Sequence, residues 1–266
     1  MIFETTMQSL DSRLLSNGIV AYWCVCTVGA LLSCVPAMRQ FSDYGKLSSG
    51  RIVGGILDTT VPKTRFYHFY TVGTAFSALL LARRALSGDF VPIPLAAFFI
   101  HATKRLYESV YVHRFAKESS MHLFGYLLGL TFYVVAPTTI DRASRGPRVG
   151  TMRLIVGGIL CTWGLTHQWR CHKILAALRS DGGNAYKIPS GDWFAYVSSP
   201  HYLAEIIVYI GFGCLARNAL TAPFICLLIF VVCNLGLTAG RTHDWYLRKF
   251  RGEYPSKRNA LIPFLY

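Results

Sequence analysis

The sequence predicts an all-α protein, a multi-pass membrane helical bundle of about seven transmembrane helices with no Rossmann domain. Three observations predict it. The 266 residues are 53% hydrophobic and 15% charged, with mean hydropathy +0.37, whereas a soluble domain carries about 25% charged residues. Seven apolar runs, at 18–36, 66–85, 91–111, 121–139, 150–167, 196–216 and 219–240, come near the length a bilayer helix needs. No G-x-G-x-x-G stands on a strand–turn–helix unit, so a Rossmann site is unsupported.

Residues 1–17 are too polar for a signal peptide, and no small-residue cleavage site follows them. The first run therefore reads as a signal anchor that stays. A long connection, 37–65, then carries Gly45, Gly50, Gly54, Gly55 and Pro62. Loops of that length are usually functional or mobile, but Gly54-Gly55 is too weak to define a phosphate loop. The second run places His68 between Tyr67 and Tyr70, a setting that favours a hydrogen-bonded packing histidine over a catalyst.

The third run is the least suited to face lipid, because it holds His101, Lys104, Arg105 and Glu108. His101, Arg105 and Glu108 fall at i, i+4 and i+7, on one helix face. Arg105 and Glu108 can neutralise each other at i,i+3. Alternatively the whole face lines a cavity, the usual setting of ionisable groups at membrane depth. The fifth run is short before it meets His167, Gln168 and Arg170, so six helices are an open count.

Segment 167–187 leaves the bilayer as an amphipathic helix with Gln168, His172 and Arg179 able to share a face, and Gly182 and Gly183 stop it. Arg179, Lys187 and the ring nitrogens could bind phosphate oxygens; a solvated basic face is the plainer alternative. Stretch 187–205, KIPSGDWFAYVSSPHYLAE, is a turn-rich, aromatic approach that runs into the sixth apolar run. Pro200 suits a first helical turn, and His201 and Glu205 share a face, so the stretch reads as the floor of a site. In the tail, 241–266, basic and aromatic residues alternate. It reads either as a headgroup anchor or as a lid over an adenine nucleotide.

The net charge of +14 admits nucleic acid, anionic lipid or an anionic ligand. Basic residues flank the apolar runs and no nucleic-acid motif accompanies them, so no nucleic-acid partner is expected. With the N-terminus luminal, the cytosolic segments hold 17 Lys/Arg and the opposite side 8, which puts the C-terminus in the cytosol. The eight cysteines form no C-x-x-C, so they read as small buried hydrophobes, and no metal is expected. The whole reads as one membrane domain: an anchor helix and cytosolic loop at 1–65, then a functional body at 66–266.

Three stretches carry a resemblance: HATKRLYESVYVHRF at 101–115, YKIPSGDWFAYVSSPHYLAEIIVYIG at 186–211, and THDWYLRKFRGEYPSKRNALIPFLY at 242–266. The chain resembles the steroid 5α-reductase superfamily, and within it the polyprenal reductase branch, from about residue 60 onward. The resemblance implies a multi-pass endoplasmic-reticulum enzyme with NADPH held by the C-terminal half and a long-chain polyisoprenoid substrate among the N-terminal helices. Carried over by position, the cofactor residues would be Gln168, His172, Arg179, Tyr186, Lys187, His201, Arg241, His243, Tyr246 and Arg258. Gln168, His172 and His201 depart from the residue types of the steroid branch, and Arg241 lies one helical turn from a family arginine.

The steroid branch also grips its ketone with an adjacent Gln-Glu on its second helix and a Tyr on its third. Neither is here: the second run begins KTRFYHFYTVG, and Ala102 stands in the Tyr place. HATKRLYES and SSPHYLAE also look like the trans-2-enoyl-CoA reductases, whose second motif holds a tyrosine proton donor; Tyr202 occupies that place. The resemblance thus implies conjugate reduction of polyprenal to dolichal on the route to dolichol. Tyr202 would donate at the carbonyl oxygen, His68 would be its reserve, and Glu205 and Arg105 would orient groups in the site. Two rivals belong to other classes: an integral-membrane methyltransferase, and a non-enzymatic lipid-binding or channel protein.

Overall fold

The computed structural model describes residues 2–35, 38, 47, 59–115, 119–179 and 186–266, with side chains from residue 11 onward. The described residues form seven α-helices: α1 (Ile2–Leu32), α2 (Tyr67–Leu86), α3 (Ile93–Tyr107), α4 (Leu123–Ala143), α5 (Thr151–Ala177), α6 (Pro200–Leu215) and α7 (Ala222–Lys249). Each overlaps one of the seven apolar runs, though α1 begins sixteen residues before its run, at Ile2 rather than 18, and α5 continues ten residues past its own, to Ala177 rather than 167. Asp11–Leu32, α4 and α7 are long and apolar enough on their own to cross a membrane, and α6 is apolar but shorter. Gly45, Gly50, Gly54 and Gly55, and the helix stop at Gly182 and Gly183, lie outside the described residues.

Local chemistry sets the helix starts. Pro94, Pro200 and Pro223 occupy first turns, where a missing N–H costs nothing. His122 caps α4, its Nδ1 accepting from Phe124 N at 3.0 Å. One short pairing escapes the all-α expectation. β1 (Thr60–Pro62) runs antiparallel to β2 (Ser120–His122) and clips the connection before α2 to the one before α4.

α5 packs tightly along α6, and glycine makes the approach possible. A Cβ on Gly164 would stand 2.8 Å from the Ala204 carbonyl oxygen, and one on Gly157 would meet Leu215 at 2.8 Å. Lipid supplies no hydrophobic drive between helices, so small residues that admit close packing hold such pairs together. α1 packs along α7, and Trp23, fully buried, donates from Nε1 to Thr139 Oγ1 of α4 at 3.1 Å. At the far end of α2, Arg84 ties Asp141 of α4 and Asp89, each at 2.8 Å.

The end of the C-terminal tail is tied to the body of the fold. Residues 258–261 run beside 196–199: Ser198 N donates to Asn259 O at 2.9 Å, Asn259 N to Tyr196 O at 3.0 Å, and Val197 and Asn259 form a parallel bridge. The tail is therefore a strut under the start of α6. On the other side of that approach, Gly191 (φ +91°) and Asp192 (φ +46°) turn the chain. Asp192 Oδ1 lies 2.7 Å from His167 Nδ1, and Trp193 stacks on the His167 ring at 4.1 Å.

Candidate active site

A cavity of about 1040 Å³ runs through the bundle. Its lining falls into three zones. Lys63, Arg114, Arg179, Tyr186, Lys187 and Tyr246 bring positive charge and aromatic rings from the connections and helix ends. Arg105, Gln168, His172, His201, Tyr202 and Glu205 form a polar waist from α3, α5 and α6. An apolar arm lies among Val25, Val28 and Leu32 of α1, Leu128 and Phe132 of α4, and Phe230, Val231 and Leu235 of α7.

The waist is a continuous hydrogen-bonded chain. His101 Nε2 donates to Glu205 Oε1 at 3.0 Å, and Gln168 Nε2 donates to Glu205 Oε2. Lys104 Nζ donates to Gln168 Oε1 at 3.0 Å and reaches Glu108 Oε1 at 2.6 Å. Arg105 Nη1 pairs with Glu108 Oε2, and His172 Nδ1 lies 2.9 Å from both of those atoms. Arg105 Nη2 donates to the Tyr70 hydroxyl at 2.6 Å. Lys104 and Arg105 both pair with Glu108, and Glu205 accepts from His101 and Gln168, so each carboxylate is bonded within the network, the condition under which burial is tolerable. Of the two readings of the third run the pairing holds, Arg105 with Glu108, whereas only Arg105 of that face lines the cavity and His101 and Glu108 are buried behind it.

A π-helical turn, Glu108–Val112, ends α3. It delivers His113 toward His172, with ring centroids 4.7 Å apart and planes at 89°. Burial, reinforced by the charge of Arg105, pushes His113 down to about 2, so it is neutral at any working pH. Glu108, His113 and His172 offer three ligand atoms within 4.8 Å. A divalent cation there would have to displace Lys104 and Arg105, which already hold both Glu108 oxygens, and Arg105 would repel it.

Ten of the fourteen residues singled out from the sequence line this one cavity: Arg105, Gln168, His172, Arg179, Tyr186, Lys187, His201, Tyr202, Glu205 and Tyr246. Four stand outside the lining. His68 pairs its Nδ1 with the Tyr126 hydroxyl at 2.6 Å. Arg241 donates to Ser33 Oγ at 3.2 Å and Thr238 Oγ1 at 3.3 Å, tying α7 to the end of α1. His243 Nδ1 lies 2.7 Å from Ser198 Oγ, which is 2.6 Å from the Tyr254 hydroxyl, so it braces the approach to α6. Arg258, buried, donates to the Pro189 carbonyl at 2.9 Å and braces the same approach.

Residues 122–266 match the family model described as 3-oxo-5-alpha-steroid 4-dehydrogenase. Polyprenal reductase 2 of Arabidopsis thaliana is 30% identical over 93% of this chain and 96% of its own length. Polyprenal reductase 1 of Oryza sativa subsp. indica is 35% identical over 89% of this chain and 72% of its own. Polyprenal reductase of Xenopus tropicalis is 30% identical over 91% and 92%. The chain belongs to the steroid 5α-reductase family. It is an oxidoreductase acting on carbon–carbon double bonds.

This steroid 5α-reductase family member also holds residues that the motifs did not reveal. Tyr70, Tyr133 and Tyr209 are buried in the lining, and Lys63 sits at its charged end. The signal for Tyr70 was present. Tyr70, Gly73, Ser77 and Leu80 are the buried stripe of α2 at helical spacing. His68, two residues away, points about 200° round the helix from Tyr70. Lys63, half-buried between the Phe66 and Phe115 rings at 5.3 and 5.4 Å, has its amine pushed down to about 8 by burial, with Arg179 adding repulsion. The charged end suits a phosphate-bearing ligand: four permanent or titratable cations converge there, and the Tyr186 and Tyr246 rings offer stacking faces.

Proposed function

We propose that the chain reduces the α-isoprene double bond of polyprenal to give dolichal, using NADPH, in the endoplasmic-reticulum membrane. One observation carries the reading: a single cavity joins a cation- and aromatic-lined end to a polar waist and then to an apolar arm. Few ligand pairs need all three together. A phosphorylated dinucleotide matches the first zone, an α,β-unsaturated carbonyl the second and a polyisoprenoid chain the third. The relatives named polyprenal reductase support the same substrate.

NADPH, when bound, supplies a hydride to the β-carbon. Arg179, Tyr186, Lys187, His201 and Tyr246 would hold it, with Gln168 and His172 lining the path inward. His243, Arg258 and Arg241 would serve it from behind, by fixing the approach to α6 and the end of α7. As the double bond is reduced, negative charge moves onto the carbonyl oxygen. A hydrogen-bond donor standing there in a water-poor site stabilises that charge. Tyr202 would be that donor; it stands on the first turn of α6 with its side chain in the lining. Glu205, one turn deeper, orients Gln168 and His101, while Arg105 fixes the opposite wall. In this reading residues 66–266 form the reductase body with the cofactor in its C-terminal half, and 1–65 the anchor. The excess of Lys/Arg on one side supports a cytosolic C-terminus.

The test offers polyprenal, polyprenol and a 3-oxo-4-ene steroid separately to membranes carrying the protein, with NADPH. Polyprenal should be converted and the other two scarcely or not at all, because an allylic alcohol has no carbonyl to accept charge. Efficient steroid reduction with no turnover of polyprenal would overturn the reading.

A further inference from the structure

Conjugate reduction needs a proton for the α-carbon as well as a donor at the carbonyl oxygen. The cavity holds a second phenol suited to that step. Tyr70 is 7% exposed, sits on the inward stripe of α2 and lines the cavity. Arg105 Nη2 donates to its hydroxyl oxygen at 2.6 Å. The guanidinium is held in place from behind, since Nη1 is bonded to Glu108 and lies 2.9 Å from His172. Tyr133 packs edge-on against the Tyr70 ring, with centroids 5.3 Å apart.

A phenol oxygen that accepts from arginine keeps its own hydrogen for another partner. Among the described residues, no hydrogen bond from the Tyr70 O–H is present. Arginine does not lose its proton in proteins, so a fixed positive charge stands beside the oxygen at every pH. That charge stabilises the phenolate left when the proton departs. Tyr209, also buried in the lining, has a hydroxyl with no hydrogen-bond partner and so lacks such a cation.

We infer that Tyr70 is the catalytic acid that protonates the α-carbon, held for that step by Arg105. The inference rests on the enal-reductase reading above. The balance is simple. The carbon–carbon π bond breaks as hydride forms the new C–H bond at the β-carbon, and the electron pair passes to the carbonyl oxygen as an enolate. The enolate then takes the Tyr70 proton at its α-carbon, restoring the carbonyl. The Tyr70 O–H bond breaks, phenolate remains against Arg105, and water returns the proton before the next turnover.

The experiment compares wild type, Tyr70→Phe and a protein with 3-fluorotyrosine at position 70, all full-length and in detergent. Turnover of polyprenal, NADPH affinity and the pH profile of kcat are measured for each. Tyr70→Phe should lose on the order of a hundredfold or more in turnover, the usual weight of a general acid. NADPH affinity should stay within about threefold. The fluorinated phenol is more acidic and keeps its shape, so the alkaline limb of the profile should move to lower pH. The fluorinated protein decides the matter even where Tyr70→Phe folds poorly. A limb that does not move, or a Tyr70→Phe enzyme within about tenfold of wild type, would overturn the assignment. A wild type inert on polyprenal would instead overturn the functional reading, so the two failures are distinct.

Discussion

Replacing Glu205 with glutamine should destabilise the protein more than almost any isosteric change in it. Glu205 accepts from His101 Nε2 at 3.0 Å and from Gln168 Nε2. His101 is 0% and Gln168 2% exposed, so neither finds water as a substitute. A glutamine at 205 has one acceptor oxygen and a donor amide facing two N–H groups. Gln168 cannot flip, because its Oε1 already holds Lys104. His101 can change tautomer, but that strands a hydrogen on Nδ1, which has no partner. One charge-assisted bond is lost, worth about 1.5–3 kcal/mol, and at least one buried donor is orphaned at about 1–3 kcal/mol. Partial relaxation brings the expected cost to about 3 kcal/mol, which for a chain of this size is a fall of about 6–12 °C in Tm. Scanning fluorimetry in detergent, at one fixed scan rate because unfolding will be irreversible, reads it. Pairing Glu205→Gln with His101→Gln should give a clearly non-additive result. A shift under about 2 °C would show that Glu205 does not hold this chain together.

Other changes should separate binding from chemistry. Arg179→Glu should raise the KM for NADPH at least about tenfold, since a charge-assisted bond worth about 1.5–3 kcal/mol is exchanged for repulsion; an unchanged constant would return Arg179 to a role on Tyr186, over whose ring it sits at 5.3 Å, and on the Arg114 carbonyl. NADPH affinity should fall as pH rises through about 8. Lys63 is lowered to that value in the free protein, a bound phosphate would raise it again, and binding therefore weakens between the two values as the amine loses its proton. The dissociation constant measured from pH 6.5 to 9.5 reads this, Lys63→Arg should flatten it, and a flat wild-type curve would remove Lys63 from the phosphate site (the pH limits are roughly a unit and a half either side of that amine). Tyr202→Phe should cut turnover by on the order of a hundredfold with NADPH affinity within a few-fold, whereas His201→Ala should weaken NADPH first; near-normal turnover in Tyr202→Phe would leave the carbonyl oxygen to another donor.

Sequence reading reached the seven helices because each is a long apolar run, and it reached most of the site because charges inside such runs are costly enough to be conspicuous. Arg105 and Glu205 announced themselves in that way, whereas Gln168 and His172 were reached through the shared face of segment 167–187 and the family resemblance. What stayed hidden were groups whose type is ordinary in a membrane helix. Tyr70, Tyr133 and Tyr209 look like any packed tyrosine until the helices that face them are known. The β1–β2 clip was hidden for another reason: three residues on each side carry no periodicity to read. The tail was ambiguous because alternating basic and aromatic residues suit several surfaces. Its role came from backbone hydrogen bonds to residues 196–199, which composition does not encode. His243 and Arg258 sit in the right motif but reach the site through Ser198 and Pro189 rather than by facing the cavity.

The balance of charge in the waist bears on the chemistry as well as on stability. Lys104, Arg105, Glu108 and Glu205 come from two helices, and Gln168, His101 and His172 link them into one chain. Because Glu108 and Glu205 are each held by donors from neighbouring helices, the waist presents charges and dipoles that are already oriented. A site of this kind can stay dry when an apolar chain fills the neighbouring arm. An enolate forming there would meet donors already oriented, with no solvent to reorganise. Within that network, Tyr70 keeps an unshared hydrogen while its oxygen accepts from a permanent cation. The network that makes burial of four charges tolerable is therefore the same one that positions an acid where an enolate would require it.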